Sequence, residues 1–369
     1  MKRTTATLAM ALAALAVAAR TAEAGTQARD EAVAADVAFL EKYMPEKDRA
    51  IVDRDYLRRN AALAREAYES APWRGTVPDE IYREYILPYS SIAEYPDDWR
   101  PLFCEKFPPL VKGCKTTGEA AKIVNSRILG MLDVRYDTRR DKPDQSPFHS
   151  MRIHMASCTG LAILQIDALR ACGIPARFTG CCWTPIPGNH SWVEYYDEGT
   201  WHFCGDLEEG KLVEPDRSWF TPYAGQADPS SPRTRIYAAR WSPTGTWFWG
   251  TWTGKNAPTT IPADDVTASY ARFREGLPES RVSFAAYGPD GRRVPVRLRL
   301  ANPWSGKILA EGETYGETHD ANDHFTVSLP ERTVARVLMS GRGGGWREAG
   351  FVEFDGKPKF FRIDERGAK

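Results

Sequence analysis

The sequence predicts an α+β chain: a helix followed by a β-hairpin at its centre, helices before that unit and a β-sandwich after it. Three observations carry this. Between Ser157 and Pro175 apolar residues recur at helical spacing, with Leu161, Leu164 and Ala168 on one line and Ile163, Ile166 and Arg170 on another. From His190 to Cys204 the residues alternate about an Asp197-Glu198-Gly199 turn. From about Ala263 alternation returns in Val282-Phe284-Ala286, in Val294-Val296-Leu298-Leu300 and in Phe325-Val327-Leu329, with turns such as Pro289-Asp290-Gly291 between them.

The 369 residues carry 49 basic and 49 acidic side chains, so charge gives no argument for nucleic acid or acidic lipid as a partner. The length suits two or three domains. Residues 1–24 read as a secretory signal, with Lys2 and Arg3, an apolar Leu8 to Ala19 run, and Ala22-Glu23-Ala24 before a cleavage at Gly25. The run is short for a membrane span, so the expectation is an exported chain, periplasmic or extracellular, with no stable span after cleavage. Export bears on the seven cysteines, which tend to pair outside the cytosol. Cys104 and Cys114 are close enough to close a small loop. Cys172, Cys181, Cys182 and Cys204 lie nearer the centre, and the pairing stays open. An odd number leaves one unpaired, and Cys158 is assigned that place.

In chain order, residues 25–115 form a helical N-terminal segment. Gly25 to Asp36 reads as a frayed linker, followed by helices at Val37 to Met44 and at Tyr56 to Tyr68, where Leu57, Ala61, Ala64 and Tyr68 share a face. The aromatic stretch Tyr82 to Phe107 reads as short helices whose rings pack on the core. Residues 116–250 form the core. Thr116 and Glu119 make a capping box. Ser157 is an N-cap, Gly173 a C′ residue and Pro175 a stop, which puts Cys158 in the first turn of its helix. The free N–H groups and positive dipole end there favour a thiolate and suit a developing oxyanion.

If Tyr196 pairs with Thr200 across a three-residue loop, Glu194 faces His202, Trp192 faces Cys204 and His190 faces Asp206, at roughly 5 Å between Cβ atoms. A one-residue slip would undo that pairing. Trp219-Phe220 reads as closing the core. The cluster from Trp241 to Trp252 reads as packing between domains, or as a stacking groove for glycan or peptide. Residues 263–362 form the C-terminal β-sandwich, where Asp320, Asn322 and Asp323 lack the Gly and Glu of a calcium loop. No zinc pattern, phosphate loop or dinucleotide fingerprint is present, so no metal and no cofactor is expected. His149, His154, His202, His319 and His324 read as structural.

A cysteine at a helix start in an exported chain is ordinarily disulfide-bonded or buried. A catalytic reading needs a base, and the base needs an orienting group. Four separated pieces supply them: Ala156-Ser157-Cys158-Thr159-Gly160, Gly173-Ile174-Pro175-Ala176-Arg177, Asn189-His190-Ser191-Trp192-Val193-Glu194, and Trp201-His202-Phe203 leading to Asp206. Over roughly residues 116 to 220 this pattern resembles the transglutaminase-like superfamily. The resemblance implies a papain-like α+β core with the Cys helix packed on an antiparallel sheet. It implies Cys158, His190 and Asp206 as the catalytic residues. Relatives draw a second oxyanion donor from an upstream Trp or Gln side chain, which makes Gln145 and Trp99 the candidates. It leaves the reaction open among cross-linking, proteolysis, amide hydrolysis and lost activity. The reading is a thiol enzyme acting on an amide bond of a peptide or protein, with hydrolysis favoured over transfer to an amine. The alternatives are a protein-glutamine γ-glutamyltransferase, a non-catalytic envelope binding protein, and a chain that holds cell-wall material through its Trp-rich segment.

Overall fold

The computed structural model describes residues 25–183, 188–205, 207–250, 257–274, 280–303, 306–331, 333–341 and 344–364. The signal-like residues, Asp206 and Trp252 lie outside them. Helix α1 covers residues 25–43, so the linker expected from Gly25 to Asp36 is helical instead. Its reason is packing: Val33, Val37 and Leu40 enter the core, and the buried Asp36 carboxylate binds Arg65 Nη2 at 2.6 Å and the Tyr82 hydroxyl at 2.7 Å. Helix α2 (Arg54–Ser70) is capped by Asp53, which accepts the Tyr56 N–H at 2.7 Å, and it buries Leu57, Ala61, Ala64 and Tyr68. Three short helices follow, α3 (Asp79–Tyr85), α4 (Arg100–Lys106) and α5 (Pro108–Val111). Tyr82, Tyr85, Tyr89, Trp99, Phe103 and Phe107 are all buried among them.

Helix α6 (Thr117–Leu132) starts at Thr116, whose hydroxyl accepts the Glu119 N–H at 3.1 Å. Strand β1 (Arg135–Tyr136), helix α7 (Pro147–Ile153) and strand β2 (Met155–Ala156) lead to helix α8 (Cys158–Ala171). Every residue of α8 is buried, because it has the sheet on one side and α2, α4 and α6 on the others. Its polar residues are not all partnered: among the described residues, both Asp167 carboxylate oxygens are buried without a hydrogen bond. Arg170 donates to the carbonyls of Tyr85, Pro88, Ser90 and Ala176, which pins the aromatic stretch to the helix. Gly173 ends the helix at φ 70°, and a Cβ there would lie 2.3 Å from the Ala67 carbonyl oxygen.

Six strands form the central sheet: β3 (Ala176–Cys182), β4 (Asn189–Asp197), β5 (Thr200–Cys204), β6 (Tyr237–Ala239), β7 (Trp247–Trp249) and β8 (Pro258–Asp265). Their order is β5-β4-β3-β6-β8-β7, all antiparallel. One apolar core runs from Val33 on α1 to Ala263 on β8. The divisions expected at residues 115 and 250 therefore do not separate bodies, since α8 needs the N-terminal helices to cover it and the sheet continues to Asp265.

The hairpin register differs from the expected one. Asp197 pairs with Thr200, Glu194 with Phe203 and Val193 with Cys204. The loop is two residues, Glu198 at φ 45° and Gly199 at φ 91°. Packing explains the choice. Val193 and Cys204 join the core over α8, while Trp192 and Phe203 join an aromatic cluster on the opposite face. Glu194 therefore does not face His202.

The C-terminal sandwich has two four-stranded sheets. One contains β9 (Ser280–Tyr287), β10 (Arg293–Val294), β13 (Phe325–Leu329) and β16 (Lys359–Asp364). The other has the order β12 (Ile308–Glu313), β11 (Arg297–Ala301), β14 (Thr333–Ser340), β15 (Trp346–Phe354). Phe284, Leu298, Leu300, Val337 and Phe354 fill the space between them. The whole is α+β. All seven cysteines are free thiols, so the expected pairing is not formed. Cys104 Sγ instead lies 3.9 Å from the Ala171 carbonyl oxygen at the end of α8.

Candidate active site

The site lies where the start of α8 meets the start of β4. Leu161 donates the first intrahelical bond, to the Ser157 carbonyl at 2.9 Å, so the earlier N–H groups of α8 are free of intrahelical partners. The Cys158 sulfur sits among the Thr159 N–H, the Thr159 hydroxyl and the Ser191 N–H, each of which favours a thiolate. Burial outweighs them. It pushes the thiol up, and the Glu208 charge adds to the rise.

His190 is buried, and its ring is walled by Trp219 at 4.8 Å, Phe220 at 5.0 Å, Trp192 at 6.0 Å and Trp183 at 6.1 Å between centroids. Burial pulls the imidazole down to about 3. Its Nε2 lies 3.5 Å from Glu208 Oε1. Cys158, His190, Leu207, Glu208 and Phe220 line one cavity of about 10 Å³, enough for a single water. Among the described residues no hydrogen bond joins Cys158 to His190. Burial thus favours the uncharged form of both groups.

The turn Leu207–Glu209 that carries Glu208 is held from beneath. Asn125 on α6 donates to the carbonyls of Gly205 and Lys211, each at 3.2 Å, and Gln165 on α8 donates to Asn125 Oδ1 at 2.8 Å. Gly205 is required by crowding, because a Cβ there would lie 2.0 Å from the Arg217 carbonyl oxygen. That close approach brings Trp219 and Phe220 against His190. Glu208 also borders a neighbouring cavity of about 430 Å³ whose lining includes Asp133, Tyr136 and His154.

The structure brings together Cys158 and His190 of the sequence-derived set. Asp206 lies outside the described residues, and among the described ones Glu208 is the carboxylate found beside the imidazole. Trp99 is corrected: its indole N–H is given to the Tyr89 carbonyl at 2.7 Å inside the helical layer. Gln145 is buried beside the first turn of α8 and donates to the Met155 carbonyl at 3.1 Å, with its Oε1 near Gly160. His202 binds Asp216 through Nδ1 at 2.9 Å, His149 binds Asp141 at 2.8 Å and His154 binds Asp133 at 3.1 Å. The sequence reading missed Trp183, Trp219 and Phe220 as the imidazole wall, and Asn125 as the anchor of the Glu208 turn. No spacing rule marks such residues. Among the described residues no group of three metal-ligating side chains gathers, and no helix is long and apolar enough to cross a membrane.

Residues 107–205 match the model of the transglutaminase-like superfamily. No curated protein matches the chain at the significance applied. Among solved structures, the chain is similar to a protein from Cytophaga hutchinsonii provisionally assigned as a cysteine protease, with 25% identity over 32% of this chain and 38% of that one, at a TM-score of 0.25. It is similar to red sea bream transglutaminase at 12% identity, covering 77% of this chain and 65% of that one, at a TM-score of 0.34. A protein from Parabacteroides distasonis provisionally assigned as a protease gives 11% identity over 80% and 52%, at a TM-score of 0.25. The chain thus spans between 38% and 65% of the length of these relatives. The family match falls on the segment that holds α8, β3, β4 and β5, so it is the core of this chain that is similar to the transglutaminase-like superfamily.

Proposed function

We propose that this chain is an exported thiol enzyme that acts on an amide bond of a peptide or protein through an acyl-enzyme on Cys158. One observation carries the reading: Cys158 at the start of α8 and His190 at the start of β4 line one cavity, with a carboxylate beside Nε2. With Nε2 turned to Glu208, Nδ1 is the nitrogen left for the thiol proton. The sulfur attacks the carbonyl carbon as its proton passes to His190. The C–N bond then breaks, and the imidazolium returns that proton to the leaving amine. Water attacks the thioester, giving its proton to His190. The C–S bond breaks, the acid leaves, and the thiol is restored by that proton.

The closed cavity has no room for an acyl group, so substrate must displace part of its wall. Opening rehydrates both groups, which lowers the thiol and raises the imidazole toward matched values. For the acid, Asp206 has the place that the resemblance gives it, and Glu208 has the support of geometry.

Hydrolysis is the reading because water is in large excess, and transfer requires a bound amine. A glutamine-containing peptide, incubated with a primary amine at about millimolar concentration, should give mostly free acid by mass. Mostly amine adduct would make the protein a γ-glutamyltransferase. No product at all from wild type would favour the binding-protein alternative. A second reading, wall glycan as partner, draws on one observation: a groove of about 470 Å³ lined by Tyr43, Trp241 and the exposed Trp247. Retention on insoluble wall material that disappears in Trp247→Ala would support it.

A further inference from the structure

The corner that leads into His190 is fastened by a residue of the C-terminal sandwich. Strand β3 ends and β4 begins at the pair Cys182 and Asn189, and the Trp183 N–H donates to the Gly188 carbonyl at 3.0 Å. Into this corner comes Asn322, from the loop before β13. Its side-chain oxygen accepts the Trp183 indole N–H at 2.9 Å and the Asn189 backbone N–H at 3.1 Å. Gly188, at φ 124°, leaves room for that approach, since a Cβ there would lie 2.5 Å from Asn322 Oδ1. The indole so held is one of the rings stacked beside the imidazole, and the amide so held belongs to the residue just before it.

Asn322 is itself presented by a built loop. The Arg293 guanidinium donates to the carbonyls of His319 at 2.7 Å, Asp320 at 2.8 Å and Asp323 at 3.0 Å. The Asp320 carboxylate accepts the Asn322 N–H at 2.8 Å. Thus the Asp/Asn-rich stretch that the sequence brings to mind as a cation loop has its carbonyls turned to an arginine. Its product is a single well-placed acceptor. The sandwich also seats Phe360 against the aromatic cluster that contains Trp183 and Trp192.

We propose that Asn322 is a positioning residue for His190, so that the C-terminal sandwich is part of the active unit and not an appended module. The inference rests on His190 acting as the base for Cys158. One acceptor fixes both the ring wall and the backbone entry of the imidazole, and its loss frees the two together.

The test uses the full chain, with Asn322→Ala, Asn322→Asp and His190→Gln. Peptide-resolved hydrogen exchange reads the 188–190 corner, and the pH profile of Cys158 alkylation by iodoacetamide reads the imidazole. In Asn322→Ala, exchange at the corner should rise about tenfold or more, while β14 exchanges as in wild type. Its alkylation profile should move toward that of His190→Gln. Asn322→Asp keeps the acceptor and should restore both readouts to within about threefold of wild type. Unchanged exchange at the corner in Asn322→Ala overturns the proposal. So does raised exchange with an unmoved alkylation profile, or an Asp variant that fails as the Ala variant does. If His190→Gln itself leaves the wild-type profile unmoved, the assignment of His190 as base falls, and the positioning role falls with it. That failure appears in its own arm.

Discussion

At the scale of single residues, the site is a contest between burial and charge. Cys158 has three nearby donors that favour a thiolate, yet desolvation and the Glu208 carboxylate push the thiol up. If Glu208 orients His190, Glu208→Gln should lower turnover by about a hundredfold, in the range seen when a supporting carboxylate is removed. A loss of less than about tenfold, with Asp206→Asn costing the larger factor, would return the role to Asp206. The buried His190 makes a second prediction. Its value in the fold, about 3, lies below the ordinary 6.5. The unfolded chain therefore binds a proton that the folded one refuses, and stability is lost as pH falls through the window from 6.5 toward 3. Above that window His190 contributes no pH dependence. Urea unfolding near pH 7.5 and near pH 5 should show wild type losing about 2 kcal/mol more than His190→Gln. Equal losses in the two proteins would contradict a neutral buried imidazole. Cys158 and His190 were legible in the sequence because each sits at the terminus of a well-marked element. Glu208 was not, because its place depends on where a turn ends.

At the scale of elements, the limits of that legibility have a physical cause. Helix α8 could be read to within a residue from Ser157, Gly173 and Pro175, since its ends are fixed by backbone chemistry local to the sequence. The hairpin could not. Asp197-Glu198-Gly199 reads as a three-residue loop with one left-handed glycine, because glutamate seldom takes positive φ. Tertiary packing overrides this: Cys204 belongs over α8 and Phe203 among the aromatics, so Glu198 is driven to φ 45°. Asn at the first position of such a turn is favoured, so Glu198→Asn should stabilise the protein by about 0.5 kcal/mol or more, read as a higher midpoint in urea. No gain, or a loss, would speak for the three-residue loop. Helix α1 was misread for a similar reason. Its polar, Ala-rich start carries no strong pattern, and only the fold supplies Arg65 and Tyr82 to the buried Asp36.

At the scale of the whole molecule, one apolar core runs from α1 to β8, and the sandwich reaches back to the entrance of β4 through Asn322. The α+β class and the sandwich were visible as a change from helical repeat to alternation. Their joining at the site was not, because Asn322 lies 132 residues beyond the histidine it serves, counting from 190 to 322, and shares no pattern with it. In the proposed function this assembly forms an acyl-enzyme on one sulfur. The most direct measurement is an acid quench after brief exposure to an activated acyl ester, followed by peptide mapping by mass. The expected result is an acyl group on the peptide that holds Cys158, formed and then lost as acid is released, and neither acyl-enzyme nor acid from a folded Cys158→Ala protein. Acylation at another cysteine, or Cys158→Ala retaining more than about a tenth of the rate, would contradict it, since a nucleophile loss worth only ~1.4 kcal/mol is not a loss of the covalent path.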